Sequence, residues 1–505
     1  MDEKLKNSFL NFRNSILDFA KGEKVNPIIY GLAIGLYPVL YYYNTNFSLV
    51  NSWSQLGMFV LTFIMVPIIA GYLIKMIVGK YSEIRLFKFL LPVFNVAYFL
   101  LLLVLCTYGI KLKILAIAGI IGVVLGIILS KHLNKIVIFQ LLLALIILPN
   151  LLRFVFYQIN YSTEWTQQPD TIEQTEFVKK PNVYVIQPDG YPNFSELKRG
   201  YYKYDNQAFE DYLQEMGFKL YNNFRSNYFS TLSSNSSMFS MKHHYYNHPH
   251  STESEMLNAR DIIVGANAVV RTFNDNGYKT NLLLGKPYLL VNRPTLGYDF
   301  CNIKQNEVSF LARGFGIHKN VLDDLEPLIQ EKKEEPKFYF IEESLPSHIT
   351  TYKELSNGKE KEREHHLERL QRANEWLEEV LNMIKKYDSE ALIVIIADHG
   401  GFVGFDYTLE CKIKQTDPNL IKSIFTTALA IKWPKGEAPE FDNQLKTNVN
   451  LFRILIAYLS QDETLLNNLQ EDKSYAVLNS GTPFGVYEYI NEADETVFYQ
   501  YEEAK

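Results

Sequence analysis

The sequence predicts a bundle of transmembrane helices followed by an α/β domain. Two observations support this fold class. Long apolar segments are concentrated between residues 27 and 157, and the rest of the 505-residue chain alternates short apolar strands with amphipathic helices. Strands that alternate with helices are typical of a mostly parallel sheet covered by helices on both faces.

Five apolar segments are expected to cross the membrane, each close to or above the roughly 20 residues that a bilayer core requires. They cover residues 27–45, 54–77, 87–109, 112–130 and 134–157. Basic residues precede the first segment, none occurs in the loop 44–52, and Lys80, Arg85 and Lys88 follow the second segment. The positive-inside rule therefore predicts a cytoplasmic N-terminus. Five crossings would leave the remaining chain outside the cytoplasm, at the surface of the cell membrane.

The same patterns divide the chain into four parts. We expect a cytoplasmic tail at 1–26, a five-span transmembrane domain at 27–157, a polar linker at 158–180 and an extracytoplasmic domain at 181–505. The net charge of -6 is mild and indicates neither nucleic acid nor another strongly charged partner. No obligate protein partner is evident either. The three cysteines cannot form a disulfide framework, although a single Cys301–Cys411 bridge stays open as the less favoured alternative.

The extracytoplasmic domain is expected to alternate strands with two helices. Uninterrupted apolar runs rich in β-branched residues indicate strands buried on both faces, and apolar residues three or four positions apart indicate helices. The predicted strands are 182–187, 277–285, 337–344, 391–397 and 426–433, and the predicted helices are 204–218 and 357–387. His365 and His366 lie in the second, charged helix and are expected to be solvated.

Polar side chains directly follow two of these strands. Asp189 follows the strand 182–187, and Asp398 and His399 follow the strand 391–397. Parallel sheets bind ligands beyond the carboxyl ends of their strands. An oxygen and a nitrogen ligand suit Zn²⁺ or Mn²⁺ better than Ca²⁺. The alternative interpretation is a strand that ends in an ordinary polar turn.

A hydroxyl-rich stretch, "NYFSTLSSNSSMFSM" at 227–241, lies between those strands. Most of its hydroxyls are expected only to cap a helix. A metal-bound hydroxyl at a helix N-terminus, however, loses its proton readily and becomes a nucleophile toward phosphorus or sulfur. The neighbouring backbone N–H groups would then hold the anionic oxygens.

With these motifs the sequence resembles the alkaline phosphatase superfamily, in the sulfatase-like membrane branch of lipoteichoic acid synthase and the lipid A phosphoethanolamine transferases. "TLSSNSSMFS" (231–240) resembles the nucleophile motif of the transferases and selects Thr231. "SLPSH" (344–348) resembles their Ser-His, and "DHGG" (398–401) their Asp-His-Gly. The resemblance implies an alkaline-phosphatase-like α/β domain with one divalent metal, Zn or Mn. It implies these metal ligands: Asp189, Thr231, Asp398 and His399.

The resemblance also implies a reaction. A phosphoethanolamine or phosphoglycerol head group would pass from a membrane phospholipid to Thr231, and from this phosphothreonine to a surface glycan or glycolipid. Thr231 and His348 are the expected catalytic residues. Glu343, Ser347 and Lys412 are candidate substrate-binding residues, although solvation is the preferred interpretation for Lys412. A hydrolase using the same site and a non-catalytic membrane protein that kept the fold remain alternatives.

Several departures from the family pattern leave the substrate open. No histidine occurs between Gly400 and Lys505, which argues for a single tightly held metal. Glu343 stands where the transferases carry a histidine, and Asp189 replaces their glutamate. True sulfatases use cysteine in a Cys-x-Pro-x-Arg context, which neither Cys301 nor Cys411 has, so sulfate-ester hydrolysis is not expected.

One histidine cluster, "KHHYYNHPH" at 242–250, could bind a second metal. We prefer a polar, aromatic loop that contacts lipid or acceptor head groups, because no carboxylate accompanies the cluster. Its histidines are His243, His244, His248 and His250.

Overall fold

The computed structural model describes residues 3–22, 26–81, 83–247, 256–311, 314–331 and 335–501. The chain divides into two compact units. The first comprises the chain up to Tyr161, with Val291–Arg293 and a short stretch that begins at Ser309, and the second comprises the rest.

The first unit is helical. Three of its helical segments are long and apolar enough to cross a membrane: Trp53–Lys80, Arg85–Tyr108 and Ser130–Thr166. They cover the second, third and fifth predicted spans. Within the described residues, the count of five is not confirmed, so the first and fourth spans stay predictions. The α-helices are α1 (Glu3–Lys21), α2 (Pro27–Val50), α3 (Trp53–Phe59), α4 (Val66–Lys80), α5 (Leu90–Tyr108), α6 (Leu112–Ile128) and α7 (Leu133–Ile159).

Helices α5 and α6 pack closely through glycine. A Cβ on Gly122 would lie 2.4 Å from the Cα of Ala97, and one on Gly126 would lie 2.5 Å from the Cα of Val93. Small residues at such spacing let two apolar helices approach at backbone distance, where van der Waals contact replaces the hydrophobic effect as the cause of association. Helix α6 has 17 residues, and two of its glycines lie in this contact with α5.

The second unit contains a seven-stranded sheet in the order β2-β7-β6-β1-β5-β3-β4. Five adjacent strands from β6 to β4 are parallel. Strand β7 is antiparallel to β6, and β2 is antiparallel to β7. The prediction of an α/β domain with a mostly parallel sheet is therefore confirmed. These strands are β1 (Val183–Pro188), β2 (Lys219–Leu220), β3 (Lys279–Leu284), β4 (Phe300–Cys301), β5 (Lys337–Glu343), β6 (Leu392–Ile396) and β7 (Leu429–Lys432).

Helices cover both faces of this sheet. Its helices are α8 (Phe194–Leu197), α9 (Gln207–Glu215), α10 (Thr231–Ser240), α11 (Ala259–Val264), α12 (Ala268–Asp275), α13 (Val321–Gln330), α14 (Lys359–Tyr387), α15 (Pro418–Phe425) and α16 (Leu451–Ser460). On one face, Tyr184 of β1 stacks on Tyr339 of β5 in a cluster that includes Leu377 of α14. On the other face, Phe340 of β5 packs against Phe239 of α10, with 4.9 Å between ring centroids. Burial on both faces explains the uninterrupted apolar runs of β1, β5 and β6.

Two features of the second unit are absent from the sequence-based expectation. A three-stranded antiparallel sheet, ordered β10-β9-β8, follows the main sheet in the chain. The stretch expected to be a linker also belongs to this unit from Ser162 onward, where Arg453 pairs with Asp170 at 2.5 Å and Ile172 is buried. All three cysteines are free. The strands of the small sheet are β8 (Ser474–Leu478), β9 (Gly485–Ile490) and β10 (Thr496–Gln500).

Candidate metal centre and active site

Three of the predicted metal ligands meet at the carboxyl edge of the sheet. Asp189 directly follows β1, and Asp398 and His399 follow the adjacent strand β6. One candidate ligand atom from each of the three lies within 4.8 Å of the others. His399 Nε2 is 3.4 Å from Asp189 Oδ1 and 3.4 Å from Asp398 Oδ2. Neighbouring parallel strands therefore place residues far apart in the chain around one point.

Thr231 completes this group. It is the first residue of α10, and its Oγ1 lies 3.5 Å from Asp189 Oδ1 and 3.3 Å from His399 Nε2. Because the first N–H groups of a helix have no partner within the helix, the backbone beside Thr231 offers donors to an anion. A hydroxyl, two carboxylates and an imidazole thus face one another beside an anion-binding helix end.

Hydrogen bonds outside the group orient its members. His399 Nδ1 is 2.9 Å from the Gly400 carbonyl oxygen, so in the neutral imidazole Nδ1 carries the proton and Nε2 is the nitrogen that a metal would bind. Asp398 Oδ1 accepts the Gly190 N–H at 3.1 Å. Gly190 has a φ of 68°, and a Cβ there would lie 2.9 Å from the Ser347 carbonyl carbon. Only glycine fits this turn, which keeps the Asp189 and Ser347 loops in contact.

The electrostatics of the group fit a divalent cation. Asp398 is fully buried, and its Oδ2 has no hydrogen-bond partner within the described part of the chain. Burial raises the pKa of Asp398, and His399 only partly opposes this shift. Burial also lowers the pKa of His399, but Asp398 and Asp189 outweigh it and raise that pKa overall. A buried carboxylate oxygen without a partner is costly unless a cation satisfies it, and the oxygen and nitrogen donors suit Zn²⁺ or Mn²⁺.

The Ser347–His348 loop follows β5 and lies beside these residues. The Ser347 N–H donates to the Asp189 carbonyl oxygen at 2.7 Å. The His348 and His399 rings are 5.9 Å apart between centroids. His348 Nδ1 is 2.6 Å from the Ile349 carbonyl oxygen and 3.1 Å from Thr408 Oγ1. Because Nδ1 is engaged on that side, Nε2 is the nitrogen left for a substrate.

Helix α14 holds this loop through residues that sequence reasoning missed. Arg369 donates to the carbonyl oxygens of Pro346 at 2.7 Å and His348 at 2.9 Å. Glu362, two turns earlier, accepts the Thr350 N–H at 2.9 Å. In the sequence both residues belong to a run of charges on an amphipathic helix, and nothing in that pattern distinguishes them from solvated neighbours.

Replacing Arg369 with glutamine is expected to lower turnover without weakening metal binding. The change removes two charge-assisted hydrogen bonds to the His348 loop, each worth about 1.5–3 kcal/mol, while the predicted metal ligands lie on other segments. We expect turnover to fall by roughly 10-fold with unchanged metal content, measured by steady-state kinetics and elemental analysis. Arg372→Gln, at an exposed position of the same helix, is the matched control. Equal turnover in the two variants would contradict the prediction.

Two candidate substrate-binding residues lie at the edges of the site. The Glu343 carbonyl oxygen accepts the Asp189 N–H at 3.0 Å, and its buried carboxylate accepts the Ser344 N–H at 2.9 Å. Burial raises the pKa of Glu343, opposed by His318. Lys412 ends the 3₁₀ helix Thr408–Lys412, whose first residue contacts His348. The substrate-binding roles of Glu343, Ser347 and Lys412 stay predictions.

Two histidines outside the site, His243 and His244, form hydrogen bonds within the core of the second unit. His243 bonds Tyr228 and the Glu471 carbonyl oxygen, and His244 bonds the Ser233 carbonyl oxygen and the Tyr246 N–H. Both are buried, so neither offers a nitrogen to a second metal or to a head group. His248 and His250 lie outside the described residues.

The expectation that His366 is solvated is wrong. Its side chain is fully buried against Gly401, where a Cβ would lie 2.3 Å from the imidazole Cε1. Its neighbour His365 is exposed, as expected. A charged helix that packs one face against a sheet buries the residues of that face. Because charged residues surround His366 in the sequence, the apolar pattern does not show that it belongs to the buried face.

The contribution of the buried His243 and His244 to folding stability is expected to fall as the pH falls below about 6.5. Burial lowers the pKa of His243 to about 4 and that of His244 to about 3. Between these values and the unfolded value near 6.5, the unfolded chain binds protons that the folded chain does not. Each histidine therefore removes about 1 kcal/mol per pH unit. Thermal midpoints between pH 7.5 and 5 should show a shallower slope in His244→Gln than in His365→Gln, and equal slopes would refute this assignment.

Two further contacts secure the elements around the site. Gln187 of β1 and Asn235 of α10 exchange two side-chain hydrogen bonds of 2.8 and 2.7 Å, which tie α10 to the strand before Asp189. Asn448 donates to the Ala397 carbonyl oxygen at 3.1 Å and to Ser234 Oγ at 3.2 Å. No sequence motif contains these amide side chains, so their supporting role is visible only in the packing of the structure.

The fold and the site together define an α/β protein with a candidate metal centre beside a helix-terminal threonine. The Sulfatase family model matches residues 183–459, more than half of the chain. The chain therefore belongs to the sulfatase family, a branch of the alkaline phosphatase superfamily, as the sequence motifs predict.

Solved structures of low identity resemble the chain. The C-terminal periplasmic domain of EcEptC from Escherichia coli is 14% identical, with 62% of this chain and 94% of that chain covered and a TM-score of 0.41. The integral membrane lipooligosaccharide phosphoethanolamine transferase A from Neisseria meningitidis is 12% identical, with 86% and 95% covered and a TM-score of 0.39. The lipoteichoic acid synthase LtaP from Listeria monocytogenes is 14% identical, with 65% and 91% covered and a TM-score of 0.41. Comparison with curated proteins finds no match.

Proposed function

We propose that the protein is a membrane-bound, metal-dependent transferase of phospholipid head groups. A phosphoethanolamine or phosphoglycerol group would pass from a phospholipid to Thr231 and then to a cell-envelope glycan or glycolipid. The observation that carries this proposal is the approach of Thr231 Oγ1 to within 3.5 Å of both Asp189 and His399 at the start of α10. A hydroxyl placed among metal-type ligands is the arrangement of an activated nucleophile.

One divalent metal, Zn or Mn, would be held by Asp189, Asp398, His399 and Thr231. When bound, it supplies the positive charge that lowers the pKa of the Thr231 hydroxyl and offsets charge on the phosphoryl oxygens. The buried, unpartnered Oδ2 of Asp398 supports a cation at this place.

The protein groups account for the first half of the reaction. Thr231 Oγ1 attacks the phosphorus of the donor, the new Oγ1–P bond forms, and the bond from phosphorus to the diacylglycerol oxygen breaks. The diacylglycerol oxygen leaves with the electron pair and takes up the proton that Thr231 Oγ1 gives up, with His348 Nε2 as the candidate carrier of that proton. The free N–H groups at the start of α10 hold the anionic phosphoryl oxygens. Ser347 and Lys412 are candidate contacts to the same group.

The topology suits a substrate in the outer leaflet. The first unit contains three segments that could cross a membrane, and the sulfatase-family unit follows them in the chain. We place the N-terminus in the cytoplasm and the catalytic domain outside it, on the distribution of basic residues. A membrane anchor keeps the site near a lipid donor, a need that a soluble phosphatase does not have.

The test examines the Thr231 peptide by mass spectrometry. The purified full-length protein is loaded with Zn²⁺ or Mn²⁺ and incubated with a mixture of phosphatidylethanolamine and phosphatidylglycerol. We expect a phosphoethanolamine or phosphoglycerol adduct on Thr231, with release of diacylglycerol, and the adduct mass identifies the donor. A metal-loaded protein that forms no adduct and releases no diacylglycerol would refute the proposal. Failure to bind metal at all would favour a non-catalytic protein.

The sulfatase-family match favours a hydrolase as the second candidate. Water would then be the acceptor, and the same residues would form the same adduct. Product analysis separates the two functions, because a hydrolase releases the free phosphorylated head group even when acceptor hydroxyls are abundant.

A further inference from the structure

A histidine that the first half-reaction does not use contacts a buried carboxylate near the proposed metal centre. His318 Nε2 lies 3.4 Å from Glu343 Oε1. The His318 side chain is 63% exposed, whereas that of Glu343 is 5% exposed. An exposed imidazole oriented by a buried carboxylate is the arrangement of an acid–base catalyst.

The strand ends hold this pair in place. Glu343 is the last residue of β5, which lies between β1 and β3. It is paired in register with Pro188, the residue before Asp189. Gly285 leaves room for the carboxylate, because a Cβ there would lie 2.4 Å from Glu343 Oε2. The Lys319 N–H donates to the Gly285 carbonyl oxygen at 2.9 Å and fixes the segment that carries His318. The pair therefore lies at the same edge of the sheet as the metal ligands, one strand away from Asp189.

The contact also determines which nitrogen is available. With Nε2 directed at the Glu343 carboxylate, Nε2 carries the proton and Nδ1 keeps a lone pair. The lone pair on Nδ1 is then available to accept a proton from a substrate hydroxyl.

The two histidines near the site differ in access. His348 is engaged at Nδ1, packs against Phe402 beside His399 and is partly buried, whereas His318 is exposed. The proposed acceptor is a glycan or glycolipid, and its hydroxyl must arrive from solvent. His318 is the imidazole that such an acceptor can reach.

We propose that His318 is the general base of the second half-reaction, an inference that rests on the proposed function. His318 Nδ1 takes the proton from the acceptor hydroxyl as the acceptor oxygen attacks the phosphorus of phosphothreonine. The new O–P bond forms, and the bond from phosphorus to Thr231 Oγ1 breaks, with the electron pair remaining on Oγ1. Glu343 positions the imidazole. The exposed ring then releases its proton to water, and Oγ1 takes up a proton from water. His348 serves the first half-reaction, in which diacylglycerol leaves.

The test separates formation of the adduct from its discharge. The full-length protein in detergent is loaded with metal and charged with phospholipid, the excess donor is removed, and n-octyl β-D-glucoside is added as a hydroxyl acceptor. In His318→Gln we expect adduct formation and diacylglycerol release at the wild-type rate. Discharge to octyl glucoside should be slower by about 10²–10⁴-fold, so that the adduct accumulates.

Two comparisons distinguish catalysis from a structural role of the ion pair. His365→Gln, at an exposed histidine of α14, should discharge its adduct like wild type. Glu343→Gln should also slow discharge, and the double variant should be no slower than His318→Gln, because Glu343 acts through His318. A purely structural contact would instead lower formation and discharge together with the thermal midpoint.

Three outcomes would overturn the inference: wild-type discharge in His318→Gln, equal slowing of both steps, or a wild-type adduct that octyl glucoside does not discharge. Absence of any adduct in the wild-type protein would overturn the proposed function as well. The failure of one proposal is therefore distinguishable from the failure of both.

Discussion

Thr231→Ala is expected to form no adduct and to lose turnover by on the order of 10⁴-fold or more, because it removes the atom that attacks phosphorus. The fold should survive the change, since Thr231 is the half-exposed first residue of α10 and contributes no apolar contact to the core. Adduct mass spectrometry and release of diacylglycerol measure the effect. Thr231→Ser keeps a nucleophilic oxygen in place and should retain activity within about 100-fold of wild type.

The matched control for this prediction is the hydroxyl next to Thr231. Ser230 precedes α10 and makes no capping hydrogen bond to the helix, and its Oγ contacts Ser233 Oγ at 2.6 Å. Ser230→Ala should therefore stay within a few-fold of wild type. An adduct on a serine of the same peptide in Thr231→Ala would show that the nucleophile had been assigned to the wrong hydroxyl.

Asp398→Asn is expected to weaken metal binding by more than about 100-fold. Loss of a residue that merely orients a ligand already costs 10–100-fold, and Asp398 is placed to bind directly. The same change should raise the thermal midpoint of the metal-free protein. Burial raises the pKa of Asp398, which means that the ionised carboxylate destabilises the fold at neutral pH until a cation satisfies it.

Thermal unfolding with and without metal measures both effects. A metal present at 100 times its dissociation constant for the wild type should stabilise the wild type by about 2.7 kcal/mol and the variant by less than about 0.4 kcal/mol. The combination is diagnostic, because a structural aspartate would lower the midpoint when replaced and show no dependence on metal. Equal stabilisation of both proteins by metal would exclude Asp398 as a ligand.

The sequence is sufficient to predict which strand ends carry the candidate chemistry. Asp189 and Asp398 each follow an apolar run, and in parallel strands such positions converge without any further information. Thr231 is different, because the hydroxyl-rich stretch offers several equivalent side chains and only the family motif selects one. The parallel core of the sheet follows from the alternation of strands and helices. The residues of β7 contain no pattern from which its antiparallel direction could be predicted.

The supporting residues were not predictable because their roles depend on tertiary packing. Arg369 and Glu362 are ordinary members of a charged helix until the His348 loop folds against them. His366 has the same neighbours in sequence and is nevertheless buried. The His318–Glu343 contact joins two segments that no local sequence pattern relates. The sequence therefore does not predict that Glu343 contacts a histidine.

The separation of the metal ligands along the chain has a consequence for biogenesis. Gly190 and Asp398, which share a hydrogen bond at the centre, are 208 residues apart in sequence. No segment that ends before β6 contains all the candidate ligands, and the candidate site exists only once β6 has been inserted beside β1. Long-range pairings of this kind form late. A chain that ends before β6 therefore has no complete candidate centre, and under the proposed function binding of the metal would mark a domain whose folding is finished.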